Sequence, residues 1–370
     1  MEQPVPLAVG RQAGDRLFRL TAGLGAHYQA SDIYQGTRLA AAEALNSGIT
    51  FAHSWCHNIR APEYADADIR ALREAGIRAR FSHGTRQGHP NKETLDLANL
   101  ERLAKDWKSH SNDGLISLGM AWRGQGGNNP AAAVPEDVYK KELETARRLG
   151  LPVTVHASGS RPATGQVERL AKAGLLDKGM QIVHGIVLTP DEIKAMKAAG
   201  AVVSLSPYSE LRIGFGIPQT FTLLEAGIPV GLSIDTTVLS GNADMFAIMK
   251  VIQNLENAKA ESEFKFSARR TLELATIGGA RSMGIDTKVG SIKAGKRADI
   301  IMVDTRDFNI GVFTDPAHML VTAAQPSNVD TVMVDGRILK RRGRLVHMPR
   351  ADIVAESRAA LADLRKRANM

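Results

Sequence analysis

The sequence predicts an α/β fold, a TIM-type (β/α)8 barrel whose first strand is missing or modified, followed by a small, reduced β-sandwich appendage. In the middle of the chain, short β-branched runs alternate with amphipathic helical segments, which is typical of parallel strands joined by helices. Three of these runs end in a side chain that can bind a metal, namely His156, His184 and Asp235. Beyond Asp235 the alternation gives way to short β-segments with glycine turns.

Seven runs have the composition of barrel strands, and they cover residues 49–53, 77–82, 115–121, 152–156, 180–184, 201–206 and 229–235. An eight-stranded barrel would therefore lack its first strand. Only residues 5–9 could replace that strand, and they carry no metal ligand. We expect either a shortened chain that has remodelled or oligomerised, or a sequence without its natural N-terminal segment.

Helix signals separate the strands. Ser31 is expected to cap a helix that reaches Asn46, acids at 136–137 open a helix that ends near Arg148, and Thr189 caps a helix that stops at Gly200. Residues 267–283 are predicted to be helical, 300–303 a strand, 330–337 a hairpin, and 350–370 a polar helix. The expected divisions are a barrel over 1–285 with an atypical or truncated start at 1–30, a β appendage over 286–348, and a helix over 349–370.

Composition limits the classes of function. The 370 residues are 44% hydrophobic and 23% charged, as in ordinary globular proteins. A single cysteine, Cys56, allows no intramolecular disulfide and favours a reducing compartment. The sequence shows no secretory signal and no long apolar run, so we expect a cytoplasmic protein and no membrane partner. The net charge of +8 comes from dispersed basic residues, and the densest cluster, 340–344, falls in a predicted surface hairpin, so we expect no nucleic-acid partner.

The C-terminal segment 289–304 carries a Gly-Ser-Ile-x-x-Gly-Lys-x-Ala-Asp core. This core resembles the C-terminal signature of the amidohydrolase superfamily. More narrowly, the chain is similar over residues 30–347 to the branch that contains cytosine deaminase, the thioadenosine and adenosylhomocysteine deaminases, and the triazine hydrolases. The order of His156, His184 and Asp235 fits the fifth, sixth and eighth strands of that branch.

The resemblance implies a metal-dependent hydrolase. In such enzymes a His-x-His on strand one, a histidine on strand five and an aspartate on strand eight hold the metal. Carried over, the expected metal-site residues are His156, Asp235 and His184. Of these, His156 and Asp235 are the expected ligands, and His184 is expected to bind or orient the substrate and the attacking water. Asp235 and His184 are the expected catalytic residues. Zinc is the first expectation and iron the second, and the expected reaction breaks a C–N or C–halogen bond of a small cyclic substrate.

Two features depart from the resembled pattern. No His-x-His occurs in the sequence, and the glutamate that many of these deaminases carry shortly after the strand-five histidine is absent from His156-Ala157-Ser158-Gly159-Ser160. One alternative is therefore a metal-independent hydrolase, lyase or isomerase that uses His184 and Asp235 as an acid–base pair. Another is a non-catalytic descendant that binds a ligand. Unpaired strand edges favour a homo-oligomer.

Further candidates follow the predicted strand ends, where barrel enzymes place their pockets. His53 and His57 could line the pocket or replace the lost metal ligands, and the alternative is that one of them is simply buried beside Trp55. An arginine at the rim could clamp a substrate carboxylate, or it could merely be exposed to solvent. Tyr208 could stack on a ring and Glu210 could contact a polar substrate, and the alternative is a structural salt bridge. The predicted substrate-binding residues are His53, His57, His83, Arg86, Trp122, Tyr208 and Glu210.

Overall fold

A computed structural model describes residues 23–370, and within them seven strands form one parallel sheet. Each strand pairs with its neighbour in sequence, so that β1 and β7 are the two ends of this sheet. The strands are β1 Phe51–Cys56, β2 Arg78–His83, β3 Ile116–Trp122, β4 Val153–Ala157, β5 Gln181–His184, β6 Val202–Leu205 and β7 Val230–Leu232. The predicted barrel-type sheet is confirmed, and the candidate replacement strand at 5–9 lies outside the described residues.

Helices precede, connect and follow these strands. They span Ala30–Asn46, Pro62–Ala75, Leu97–Lys105, Trp107–His110, Glu136–Arg148, Gln166–Lys172, Pro190–Ala199, Pro207–Arg212, Thr220–Glu225, Thr237–Ser240 and Met245–Lys259. Thr189 caps Pro190–Ala199 through its side chain, and Gly200 ends that helix with a positive φ, as predicted. The prediction for Ser31 is wrong. The helix begins at Ala30, and the Asp32 carboxylate accepts a hydrogen bond of 2.7 Å from the Gln29 N–H.

The predicted helix over 267–283 is present in three parts. Ala268–Glu273 and Gly279–Ser282 are α-helical and flank a π-helical turn at Leu274–Gly278. This turn packs closely on β7. A Cβ added to Gly278 would lie 2.8 Å from the Val230 carbonyl oxygen, and one added to Gly231 would lie 2.4 Å from the Ser282 hydroxyl. Glycine at both positions lets the helix approach the strand.

A second, antiparallel sheet has the order β11-β10-β9-β8. Its strands are β8 Ile300–Val303, β9 Val329–Val334, β10 Arg337–Arg341 and β11 Arg344–Leu345, with the helix Pro316–Thr322 between β8 and β9. The predicted hairpin is confirmed. Its two turn residues, Asp335 and Gly336, both have positive φ, of 51° and 79°, as a two-residue hairpin turn requires.

Arg78 joins the two sheets. From β2 its buried guanidinium donates to Asp299 at 2.6 and 2.9 Å and to Asp335 at 2.9 Å. Lys340 makes a second connection, because its Nζ donates to the Asn46 carbonyl at 2.5 Å. Lys340 is 2% exposed, so the expected solvated basic cluster at 340–344 does not include it.

The C-terminal helix Arg350–Arg367 lies against the helix Ala30–Asn46. Two ion pairs connect them, Arg38 with Glu356 and Arg367 with Asp32. None of the helices within residues 23–370 is both long enough and apolar enough to cross a membrane.

Candidate active site

His156, His184 and Asp235 lie at the carboxyl ends of their strands, as expected. His156 is in β4, His184 is the last residue of β5, and Asp235 follows β7 by three residues. In the register of β4 and β5, His184 lies opposite Ala157, one residue beyond His156. His184 and Asp235 have left-handed backbone, with φ of 72° and 61°. Such conformations are uncommon outside glycine and persist where the surrounding structure imposes them.

Five rings form a continuous series along this end of the barrel, here called the aromatic row: His57, Trp55, His156, His184 and Phe215. Trp55 stacks on His156 with centroids 3.7 Å apart, and on His57 at 5.2 Å. The His156 and His184 centroids are 5.3 Å apart, and Phe215 meets His184 edge-on, also at 5.3 Å. The row brings together side chains from the ends of β1, β4 and β5 and from the loop that follows the helix Pro207–Arg212.

The environment of His156 favours the uncharged form of its imidazole. Desolvation by the surrounding protein atoms lowers the pKa of His156 well below the usual range, and the neighbouring His184, His57 and His53 rings act in the same direction. His156 as a whole is nevertheless an exposed residue. An uncharged imidazole keeps a lone pair, so His156 can accept a hydrogen bond or bind a metal.

His184 forms a buried pair with Glu210. The Oε1 atom of Glu210 lies 3.1 Å from His184 Nδ1 and accepts a hydrogen bond of 2.7 Å from the Ser206 N–H. Burial by itself lowers the pKa of His184, but Glu210 and then Asp235 raise it more, and the net direction is upward. Burial also raises the pKa of Glu210, against the opposing effect of His184. The rise at His184 follows from direct contact with a carboxylate.

Asp235 is half-buried beside this pair. Its backbone N–H donates to Ser233 Oγ at 3.0 Å, and Ser240 Oγ donates to the Ile234 carbonyl. These two hydrogen bonds fix the loop after β7. They hold a carboxylate close enough to contribute to the pKa of His184.

The donor set does not fit a tight zinc centre. Among residues 23–370, no group of three or more His, Cys, Asp or Glu side chains is arranged to hold a metal ion. His156 and Asp235 are the ligands that the resemblance implies, whereas catalytic zinc usually takes three protein ligands and a water.

Two further predicted residues, His53 and His57, lie close enough to His156 to affect its pKa. His53 Nε2 lies 2.8 Å from Ser82 Oγ, and burial followed by the charge of Arg80 lowers the pKa of His53 to about 3. His57 belongs to the aromatic row. Arg86 is half-buried in the loop after β2, and Tyr208 is half-buried in the helix Pro207–Arg212, where it packs on the hydrophobic core.

His83 and Trp122 are not brought to the site. His83 is fully buried, and its Nε2 lies 3.1 Å from the Asn99 amide on the helix Leu97–Lys105. Its neighbour Ser82 faces inward to His53. Because successive side chains of a strand point to opposite faces, His83 points into the helical layer. Trp122 is 1% exposed and lies in the hydrophobic core.

Trp55 and Phe215 are site residues that the sequence reasoning missed. Trp55 could have been found, because His53, Trp55 and His57 alternate at the spacing of one strand face. Phe215 gave no comparable signal. It lies in a loop between Gly214 and Gly216, both with positive φ, and only the folded loop brings it to His184.

Comparison with known proteins places the chain in a family. The Amidohydrolase family matches residues 11–339. The 5'-deoxyadenosine deaminase of Methanosarcina acetivorans is 28% identical over 355 residues, which cover 93% of this chain and 78% of that protein. The 5-methylthioadenosine/S-adenosylhomocysteine deaminase of Moorella thermoacetica is 30% identical over 338 residues, which cover 88% and 75%.

Solved structures show the same fold. An adenosine deaminase from Xanthomonas campestris with bound zinc has a TM-score of 0.85 at 23% identity, over 98% of this chain and 82% of that one. Atrazine chlorohydrolase from Arthrobacter aurescens, complexed with zinc, has a TM-score of 0.78 at 19% identity, over 97% and 84%. The family match, the deaminase relatives and the shared fold together show that the chain is a hydrolase that belongs to the amidohydrolase family.

Proposed function

We propose that the chain hydrolyses a C–N bond of a small cyclic substrate, and that the bond joins an exocyclic amine to an adenosine-like ring. The observation that carries this proposal is the meeting of His184 and Asp235 at one end of the barrel, beside the aromatic row. The relatives with 28–30% identity are named as deaminases of adenosine derivatives, which supports an amine as the leaving group. Cleavage of a C–halogen bond, as the name of the chlorohydrolase indicates for that protein, is the second candidate.

In the proposed reaction a water molecule attacks the ring carbon that carries the amine. Asp235 accepts one proton of the water as the new C–O bond forms. His184 starts with protons on both ring nitrogens and gives its Nε2 proton to the leaving nitrogen, the C–N bond breaks, and ammonia departs. The proton on Asp235 then returns to His184, so that both groups recover their starting states.

Zinc is the first metal to consider, and iron the second. In a metal-loaded site His156 and Asp235 would hold the ion, which would supply a water of lowered pKa. The described residues do not provide the usual number of ligands. This shortage favours the metal-independent alternative, in which His184 and Asp235 act as the acid–base pair of a hydrolase, a lyase or an isomerase.

A substrate panel tests the proposal. The purified full chain is incubated with adenosine, 5'-deoxyadenosine, 5'-methylthioadenosine, S-adenosylhomocysteine and a chlorinated triazine, and the release of ammonia and chloride is measured. We expect ammonia from at least one adenosine derivative and a large loss in the His184→Asn and Asp235→Asn variants. Chloride release alone would select the second candidate. Folded protein that turns over none of them, with or without zinc, would contradict the proposal.

The assembly and setting of the chain are also proposals. We propose a cytoplasmic homo-oligomer, divided into a barrel over 1–285, an appendage over 286–348 and a helix over 349–370. Exposed apolar side chains near β8, namely Met302, Phe308 and Val312, support association through this sheet. Light scattering coupled to size-exclusion chromatography measures the assembly, and a monomer at micromolar concentration would contradict it.

A further inference from the structure

We propose that Glu210 is the positioning residue of this site: it holds the His184 imidazole with a proton on Nδ1 and leaves Nε2 as the nitrogen available to a substrate. The catalytic role of His184 rests on the proposed function. The arrangement of the pair does not depend on that function.

Hydrogen bonds with Ser206 fix the position of the Glu210 carboxylate independently of His184. Glu210 lies in the first turn of the helix Pro207–Arg212, directly after β6, and its Oε1 accepts the Ser206 N–H at 2.7 Å. The Glu210 N–H in turn donates to the Ser206 carbonyl at 3.1 Å. The same Oε1 lies 3.1 Å from His184 Nδ1. One short turn therefore sets the position of the oxygen that His184 meets.

Burial separates Glu210 from any substrate. Its exposed fraction is 0%, and its Oε2 atom has no hydrogen-bond partner among the residues that the structure describes. A purely structural role at the start of this helix needs only one acceptor oxygen. A buried carboxylate with an unpaired oxygen is unfavourable unless its charge serves an interaction. His184 is the group that this charge contacts.

The His184 ring is confined on its other sides as well. Phe215 meets it edge-on at 5.3 Å. A Cβ added to Gly159 would lie 3.5 Å from both His184 Cβ and Phe215 Cε2, so the loop after β4 closes on the same ring. With ring rotation restricted, the hydrogen bond to Nδ1 decides which nitrogen faces the site.

The Glu210 carboxylate follows β6, whereas the glutamate of the resembled deaminases follows the strand that corresponds to β4. The resembled deaminases carry a glutamate shortly after the histidine that corresponds to His156, and this chain has none there. Here the carboxylate comes from the end of β6 and acts through His184.

Nuclear magnetic resonance of the full chain labelled with ¹⁵N-histidine tests the proposal directly. His184→Asn assigns the His184 signals, and long-range ¹H–¹⁵N spectra report which ring nitrogen carries the proton. We expect a proton on Nδ1 in the wild type and in Glu210→Gln, whose amide oxygen still accepts from Nδ1, whether or not Nε2 is protonated as well. We expect Glu210→Ala to lose this preference. The matched control is Glu256→Ala, which removes another buried carboxylate, one that accepts from the Thr220 N–H, and it should leave His184 unchanged.

A wild-type His184 ring with its proton on Nε2 and none on Nδ1 would overturn the proposal even if no variant folds. Unchanged His184 signals in folded Glu210→Ala would also overturn it. If the substrate panel yields a turnover, Glu210→Ala should lower kcat by about 10²-fold with KM within about threefold, and Glu210→Gln should stay within about tenfold of wild type. If the wild type has no turnover, the proposed function fails, and the spectra still decide the role of Glu210.

Discussion

The Trp55 indole lies against the His156 imidazole, with ring centroids 3.7 Å apart and planes 19° apart. Stacking covers one face of the histidine but leaves its two nitrogens at the ring edge. The lowered pKa of His156 favours the neutral form that a metal ligand needs, yet the close neighbours of His156 are rings. The resemblance to metal-dependent enzymes and the local geometry therefore give different expectations, which metal analysis can separate.

We expect the purified chain to hold far less than one equivalent of zinc or iron after dialysis, because the described donor set is too small for a tight centre. Inductively coupled plasma mass spectrometry measures the content, and His156→Ala is the control. Near-stoichiometric metal that is lost in His156→Ala would show instead that His156 ligates an ion with partners that the structure does not identify.

Removing the charge at either catalytic candidate should abolish most turnover. His184→Asn and Asp235→Asn each remove a proton-transfer group while keeping similar volume, and such groups typically contribute about 10²–10⁴-fold to a rate. Steady-state kinetics with an accepted adenosine derivative measure the effect, and circular dichroism verifies the fold. His347→Asn, which alters an exposed histidine, is the control. Full activity in both site variants would remove His184 and Asp235 from the mechanism.

Arg78 should be one of the costliest residues to replace outside the site. Arg78→Met would leave the buried carboxylate of Asp299 and its neighbour Asp335 without their common partner. Breaking a buried ion pair in this way typically lowers the free energy of unfolding by about 3–5 kcal/mol. Urea denaturation measures the change. Arg306→Met breaks the exposed pair with Asp304 and should leave stability unchanged within error. Equal effects of the two substitutions would contradict this account.

Stability should fall in mild acid because of His83. Burial lowers the pKa of this histidine from 6.5 to about 4. Between these values the unfolded chain binds a proton at His83 and the folded chain does not, so the free energy of unfolding decreases as the pH falls from 6.5 to about 4. The difference for this group is about 3 kcal/mol. His83→Gln keeps an acceptor for Asn99 and should reduce the slope by one proton.

Urea unfolding at several pH values between 4 and 6.5 measures that slope. The control is His318→Gln, which changes an exposed histidine and should leave the curve as in the wild type. An unchanged slope in His83→Gln would show that His83 is neutral in both states or charged in both.

The barrel strands could be predicted from sequence because β-branched runs and helix caps are local signals. Thr189 and Gly200, for example, bound their helix as predicted. The face of a strand end was harder to predict. His83 and Trp122 end β2 and β3, but a shift of one residue decides whether a side chain enters the barrel or the helical layer. Phe215 contacts His184 from a loop flanked by glycines, and no periodic pattern in the sequence predicts such a contact.

At His184 and Asp235 the left-handed backbone makes opposite demands on thermal stability and on activity. Glycine adopts this conformation without steric penalty, whereas other residues pay about 1–2 kcal/mol. At these two strand ends, therefore, the residue that best suits the backbone is one that has no side chain for chemistry. Variants selected only for thermal stability would therefore become enriched in glycine at these two positions, and the most stable of them would be inactive.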